Sequence, residues 1–225
     1  MINIKDNLAL IEQQISHSCQ QANRPKEAVA LLAVSKTKPG TLIEQAYQCG
    51  QRAFGESYVQ EAVDKIAQLQ HLPDICWHFI GPIQSNKTRA IAENFSWVHS
   101  IDRVKIARRL NEGRSGHDTP LNVCLQVNIS GEASKSGVTV ADLDELAGVI
   151  ASCPHLRLRG LMAIPEKNAP LSSYSKMQDL FRQLQQQYPE LDTLSMGMSG
   201  DLQPAITNGS TMVRIGSAIF GSREQ

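Results

Sequence analysis

Short apolar runs alternate along the chain with stretches whose apolar residues recur at helical spacing. Runs at Ala30 to Ser35, Arg52 to Phe54, Cys76 to Ile80, Trp97 to His99, Asn122 to Val127, Arg157 to Met162, Thr193 to Met196 and Met212 to Ile215 predict eight strands. Between the first two, Leu42, Ile43 and Ala46 share one face of a helix. After the second, Val59, Val63, Ile66 and Leu69 repeat at helical spacing, and Ser57 followed by Gln60 reads as a capping box that opens this helix. Thr139 with Asp142 reads as a further helix start, ahead of Leu143, Leu146, Ala147 and Ile150 on one face. At the N-terminus Ile4, Leu8, Ile11 and Ile15 are interrupted by Lys5, Asp6 and Glu12, which predicts a structural helix; a signal peptide would need an unbroken apolar stretch.

Strand and helix in alternation imply parallel strands joined by crossovers. Eight such units predict an α/β fold, a single (β/α)8 TIM barrel occupying residues 1–225, with the extra N-terminal helix closing the bottom of the barrel. An open doubly wound sheet is the alternative. No linker or low-complexity tract marks a domain boundary.

Charge narrows the function classes. Lys plus Arg number 22 and Asp plus Glu number 22, a net charge of zero, which argues against a nucleic-acid binder or a binder of anionic membranes. No apolar run approaches the roughly 20 residues that span a bilayer. The five cysteines are scattered with no CxxC pair, so neither a disulfide framework nor a metal site is expected, and a reducing cytoplasm is the expected location.

The polar residues follow the strands: Lys36, Gly55 and Glu56, Gly81, Asp102, Asn128, Ser199 and Gly216. In a barrel these would share the C-terminal rim, where barrel enzymes build their sites. Lys36 ends the apolar run LLAVSK. Partial desolvation there favours the neutral amine, which can form a Schiff base with an aldehyde; the alternative is a strand-end lysine snorkelling into solvent. Lys38, Lys87 and Lys135 lack that strand context and read as solvated, or at most as anion ligands. Ser199 and Gly200 follow the seventh strand, Gly216 and Ser217 the eighth. Loops in those places form the usual phosphate site of barrels; the alternative is ordinary cap chemistry, with Ser199 or Asp201 capping a helix that ends near Gly209. Arg214 alternates with Val213 and Ile215 and so points into the barrel, where a carboxylate or a ligand atom should satisfy it. His78 and His99 read as core histidines, and Arg103, Lys105, Arg108, Arg109 and Arg114 as a solvated helix face.

A strand-end lysine, a phosphate cup and a final-strand arginine together suggest pyridoxal 5′-phosphate (PLP). The motifs AVSKTKP, FGESYVQE, WHFIGPIQSNK, VHSIDR, VNISGEASKSG, LRGLMAIP, LSMGMSGD and GSTMVRIGSAIFG, running from Leu31 to Gly221, resemble the pyridoxal phosphate homeostasis proteins, the YggS/PROSC family of single-domain barrels. The chain is similar, more distantly, to the N-terminal barrel of alanine racemases. The resemblance implies that Lys36 carries the cofactor as a Schiff base, that Ser199, Gly200, Gly216 and Ser217 hold its phosphate, and that Arg214 faces the pyridine nitrogen. Where the family usually has asparagine this chain has Ser57, a shorter hydrogen-bonding side chain that is a further cofactor-contact candidate.

Two functions fit these residues. One is a Schiff-base enzyme, a racemase-like PLP enzyme or an aldolase acting through Lys36. The other, which the resemblance implies, is a protein that stores, buffers or delivers PLP, with apo PLP-dependent enzymes as transient partners. The chain ends four residues past Gly221, without the second domain that gives racemases their opposing tyrosine base and their dimer, so a monomeric carrier without efficient catalysis is expected.

Overall fold

The computed structural model describes residues 3–131, 136–166 and 168–222, so Lys135 lies outside the described residues. Its eight strands are β1 (Ala30–Val34), β2 (Ala53–Glu56), β3 (Cys76–Phe79), β4 (Trp97–Ile101), β5 (Leu121–Gln126), β6 (Leu156–Met162), β7 (Thr193–Ser195) and β8 (Met212–Ile215). They pair in chain order, all parallel, and β8 returns to β1 in the register Leu32 opposite Arg214. That closing ladder excludes the open sheet. Each predicted run is a strand whose ends shift by a residue or two.

Nine described helices accompany the strands: α1 (Ile4–Gln21), α2 (Gly40–Gln48), α3 (Val59–Gln68), α4 (Thr88–Asn94), α5 (Val104–Arg114), α6 (Leu143–Ala151), α7 (Leu171–Gln187), α8 (Leu202–Thr207) and α9 (Ser217–Phe220). Alternation along the strands divides the core in two. Phe54, Phe79, Val98, Val123 and Val213 face the helices, where Phe79 meets Phe95 edge-on. Leu32, His78, His99, Cys124, Met162 and Arg214 are buried and belong to the inner face. Low in the barrel, Arg159 lies 4.5 Å over the Trp97 ring and is held by Asp192 and Asn122. This plug leaves the opposite mouth as the open end.

Three expectations are corrected. The N-terminal helix does not close the bottom: α1 packs against α2, α8 and α9 in the outer ring. The reason is the brevity of α9, four residues after β8, which leaves a gap that Ile4, Leu8, Ile11 and Ile15 fill. Ser57 does not cap α3; the N-cap is Tyr58, without a side-chain bond, and Gln60 donates to Asp64 instead. Arg114 is no solvated residue either. It is buried, and its guanidinium ties the end of α5 to the carbonyls of Ala92, Phe95 and Thr119. Thr139 does stand at a helix start, in the turn that leads into α6: its hydroxyl donates to the Asp142 carboxylate and accepts from the Asp142 N–H, with Asp142 itself as the N-cap.

Candidate functional site

Lys36, Ser57, Ser199, Arg214, Gly216 and Ser217 come from four separate loops, one strand and the first residue of α9, and the barrel brings them to the wall of a single cavity of ≈ 290 Å³. Gly200 is not in that wall; it sits on the exposed turn between Ser199 and Asp201. Val34, Ile80, Ile164 and Met198 supply apolar surface, and Lys38 lines the cavity as well, its amine donating to the Ser222 carbonyl at 2.6 Å. Of the two alternatives for Lys38, a solvated lysine or an anion ligand, its place in the cavity wall favours the second. A wider groove between α4 and α5 is built of paired charges such as Arg89 with Glu93 and gathers none of these strand-end residues.

Gly81 explains how Ser57 reaches the cavity. A Cβ at position 81 would fall 2.2 Å from the Ser57 carbonyl oxygen, so only glycine lets the loop after β3 lie against the loop after β2. On the far side, the Asp201 carboxylate accepts from the Met198 N–H at 2.6 Å and from the Tyr174 hydroxyl at 2.8 Å, fixing the turn that carries Ser199. Tyr174, buried and bonded to that carboxylate, has its own ionisation pushed well up, so it stays a donor.

Arg214 is almost fully buried, and neither a carboxylate nor a ligand is needed to satisfy it. It donates to the carbonyls of Ser195 and Ala163 at 2.7 and 2.8 Å and to the Ser195 hydroxyl at 2.8 Å. Burial pushes its pKa down to about 10, which still leaves a full cation at neutral pH. The contact continues inward: Ser195 Oγ meets His99 Nδ1 at 2.9 Å, His99 Nε2 meets His78 Nδ1 at 2.9 Å, and His78 Nε2 lies 3.4 Å from Cys76 Sγ. A guanidinium can only donate, so the arrangement that uses every proton runs one way, from Arg214 to Ser195, to His99, to His78. Both imidazoles are then neutral and protonated on Nε2, in line with burial, which lowers the His78 pKa to about 3 and that of His99 well below its ordinary value.

Not every predicted rim residue joins the site. Glu56 is turned behind the barrel wall, where it meets Lys65 of α3 at 2.9 Å. Asp102 pairs with Arg103 beside a separate groove, and Asn128 accepts from the Gly131 N–H within its own turn. Lys87 ends a short 3-10 turn away from the cavity.

The cavity fits a small planar anion. Its titratable side chains among the described residues are Lys36, Lys38 and Arg214, all basic groups, interleaved with hydroxyls and flanked by aliphatic surface. The volume is at the small end of the roughly 300–1,000 Å³ of ligand sites, the scale of one substituted ring. The start of α9 adds the backbone N–H groups of Ser217 and Ala218, while those of Ile219 and Phe220 already donate to the Gly216 carbonyl at 2.9 Å.

Comparison with known proteins places this geometry. The sequence matches the family described as alanine racemase, N-terminal domain, over residues 7–224. A pyridoxal phosphate homeostasis protein of Vibrio alginolyticus is 56% identical over 231 residues, which cover 100% of this chain and 99% of that protein. This chain belongs to the pyridoxal phosphate homeostasis family. Another member, from Escherichia coli K12, is 53% identical over 233 residues, 100% of this chain and 98% of its own length. PipY of Synechococcus elongatus PCC7942, solved with PLP bound, superimposes with a TM-score of 0.83 at 35% identity, over 97% of this chain and 100% of that one.

Within this homeostasis-family barrel, what the sequence did not reveal acts across elements: Lys38 in the cavity wall, Tyr174 on Asp201, and Ser195 between Arg214 and His99, whereas His78 and His99 are the buried core histidines expected and Asp201 is the N-cap of α8. Lys38 had a signal, since it stands two residues from Lys36 in SKTK. Nothing in the sequence marks Tyr174, which lies 27 positions from its partner.

Proposed function

We propose that this protein binds PLP covalently through Lys36 and stores, buffers or delivers it. The observation that carries the reading is the cavity itself, where Lys36, the buried Arg214 cation and the Ser199, Gly216 and Ser217 positions converge at the open mouth of a barrel plugged at its other end. The names of the relatives and the PLP in PipY support it.

Bound there, PLP supplies a carbonyl that condenses with amines and a ring that can take up electron density from them. The chain's own groups set the terms. Ser199, Gly216 and Ser217 would hold the phosphate, without Gly200, which lies outside the cavity wall, and Ser57 would add a contact from the β2 side. Arg214, fixed by two carbonyls and Ser195, would face the pyridine nitrogen; a guanidinium can only donate, so a nitrogen opposite it would be kept unprotonated and the ring would be a weak electron sink. Stereoinversion needs acid and base groups on both faces, and the described cavity wall supplies Lys36 and Lys38 with no carboxylate, tyrosine or histidine opposite. These features support a carrier rather than a racemase or an aldolase.

In this reading residues 1–225 work as one domain, a cytoplasmic monomer whose partners are the cofactor and, transiently, apo PLP-dependent enzymes, with no nucleic acid or membrane involved. Among the described residues no helix is long and apolar enough to cross a membrane. The test is transfer: protein loaded with PLP should activate an apo PLP-dependent enzyme and show negligible racemisation, transamination or decarboxylation over a panel of amino acids. Robust turnover of any one of them, lost in Lys36→Ala, would establish the enzyme reading instead.

A further inference from the structure

The two residues that flank Lys36 are both gripped from behind the barrel wall by α3. The Ser35 carbonyl accepts from Lys65 Nζ at 2.8 Å, the Ser35 hydroxyl donates to Glu56 Oε1 at 2.6 Å, and the Thr37 N–H donates to Glu61 Oε1 at 2.6 Å. Lys65 closes the set by donating to Glu56 Oε1 at 2.9 Å and Glu61 Oε1 at 2.5 Å, so the three protons of its ammonium meet three acceptors. Lys65 and Glu56 are buried, and Glu61 is partly open to solvent.

The backbone between these contacts is strained. The Lys38 N–H donates to the Ser35 carbonyl at 3.1 Å, making residues 35 to 38 a turn, and its third residue, Thr37, has φ 64°. Turns with positive φ there use glycine or asparagine; a β-branched residue is a genuine outlier, held only where its surroundings over-determine it. Stability alone does not account for the cluster. One ammonium is set against two carboxylates, Glu56 Oε2 has no hydrogen-bond partner, and a buried ion pair is commonly matched by apolar residues of similar volume.

We infer that Lys65, Glu61 and Glu56 form a clamp whose task is to hold the turn that presents the Lys36 amine to the cavity, so that they are positioning residues for cofactor attachment. The inference rests on the reading of Lys36 as the attachment point. Without the clamp Thr37 relaxes to negative φ, Lys36 loses its fixed direction, and Lys38, which lines the same cavity, competes for the aldehyde.

The experiment is borohydride trapping of full-length apo-protein exposed to PLP, with peptide mapping, in the wild type, Glu61→Ala, Glu61→Gln and the double variant Glu56→Leu with Lys65→Met. Glu61→Ala and the double variant should label Lys36 at least tenfold more slowly and divert label to Lys38, with unfolding temperatures close to wild type. Glu61→Gln, which keeps an acceptor for the Thr37 N–H, should recover most of the rate. Folded variants that label Lys36 at the wild-type rate and site would overturn the clamp. Wild-type protein labelled away from Lys36 would instead defeat the attachment reading. Amide exchange of Thr37 without cofactor then decides the clamp: tenfold faster in Glu61→Ala sustains it, an unchanged rate overturns it.

Discussion

Acidification should weaken this barrel through His78 and His99. Both are buried inside it as neutral rings, with folded pKa values below the ordinary 6.5, His78 at about 3 because burial disfavours its charged form. For His99, burial acts first, and the neighbouring His78 and the Arg214 cation push the same way. The unfolded chain therefore takes up protons that the folded chain refuses. The stabilisation is complete above pH 6.5 and is lost as pH falls from there toward about 3. Going from about pH 7.5 to about pH 5, His78 alone should remove about 2 kcal/mol, from 1.36 kcal/mol per pKa unit, and His99 should add a loss of the same sign. Glu56 opposes them, since burial raises its pKa and low pH relieves its buried charge, so the histidine contribution is read against a variant. Urea unfolding at both pH values should show the wild type losing more stability on acidification than His78→Leu, by about 2 kcal/mol. The variant has a lower baseline because the His99 N–H loses its acceptor, and only the pH difference is compared. Equal losses in the two proteins would refute the holding of His78 as a neutral ring.

Other outcomes follow from the same geometry. Arg114→Ala should cost about 3 kcal/mol in urea unfolding, because the Ala92, Phe95 and Thr119 carbonyls lose their shared donor. Pyridoxal lacking the phosphate should bind at least roughly 100-fold more weakly than PLP in a fluorescence titration, the worth of two charge-assisted hydrogen bonds at the Ser199 and Ser217 turns. Tyr174→Phe frees one oxygen of Asp201 and should weaken PLP binding about threefold to tenfold while leaving pyridoxal binding unchanged, which ties the effect to the phosphate end.

The barrel was legible because its signals are local. Each strand is a run of apolar residues bounded by turn chemistry, and eight of them in alternation with helices admit few arrangements. That Lys36, Ser199, Arg214, Gly216 and Ser217 meet on one cavity wall was legible for a related reason: they stand at strand ends or inside the last strand, and the topology fixes which rim those ends share, whereas Gly200 falls on an exposed turn outside that wall. What escaped notice depends on pairings between distant positions. The placement of α1 follows from the shortness of α9, more than 190 positions later in the chain. Glu56 read as a rim residue because it ends β2, yet the pleat turns it to the outer face, where Lys65 and Ser35 surround it. Arg114 read as solvated from its basic neighbours, although helix phase had already put it with Leu110 and Ala107 on the buried side.

The central claim is that the Lys36 amine is where PLP attaches. Wild-type protein incubated with PLP, reduced with borohydride and digested should yield one dominant pyridoxyl peptide, modified at Lys36, and Lys36→Ala should lose that peptide and the absorption band of the bound cofactor. A dominant label on another lysine, or no label at saturating PLP, would contradict the account.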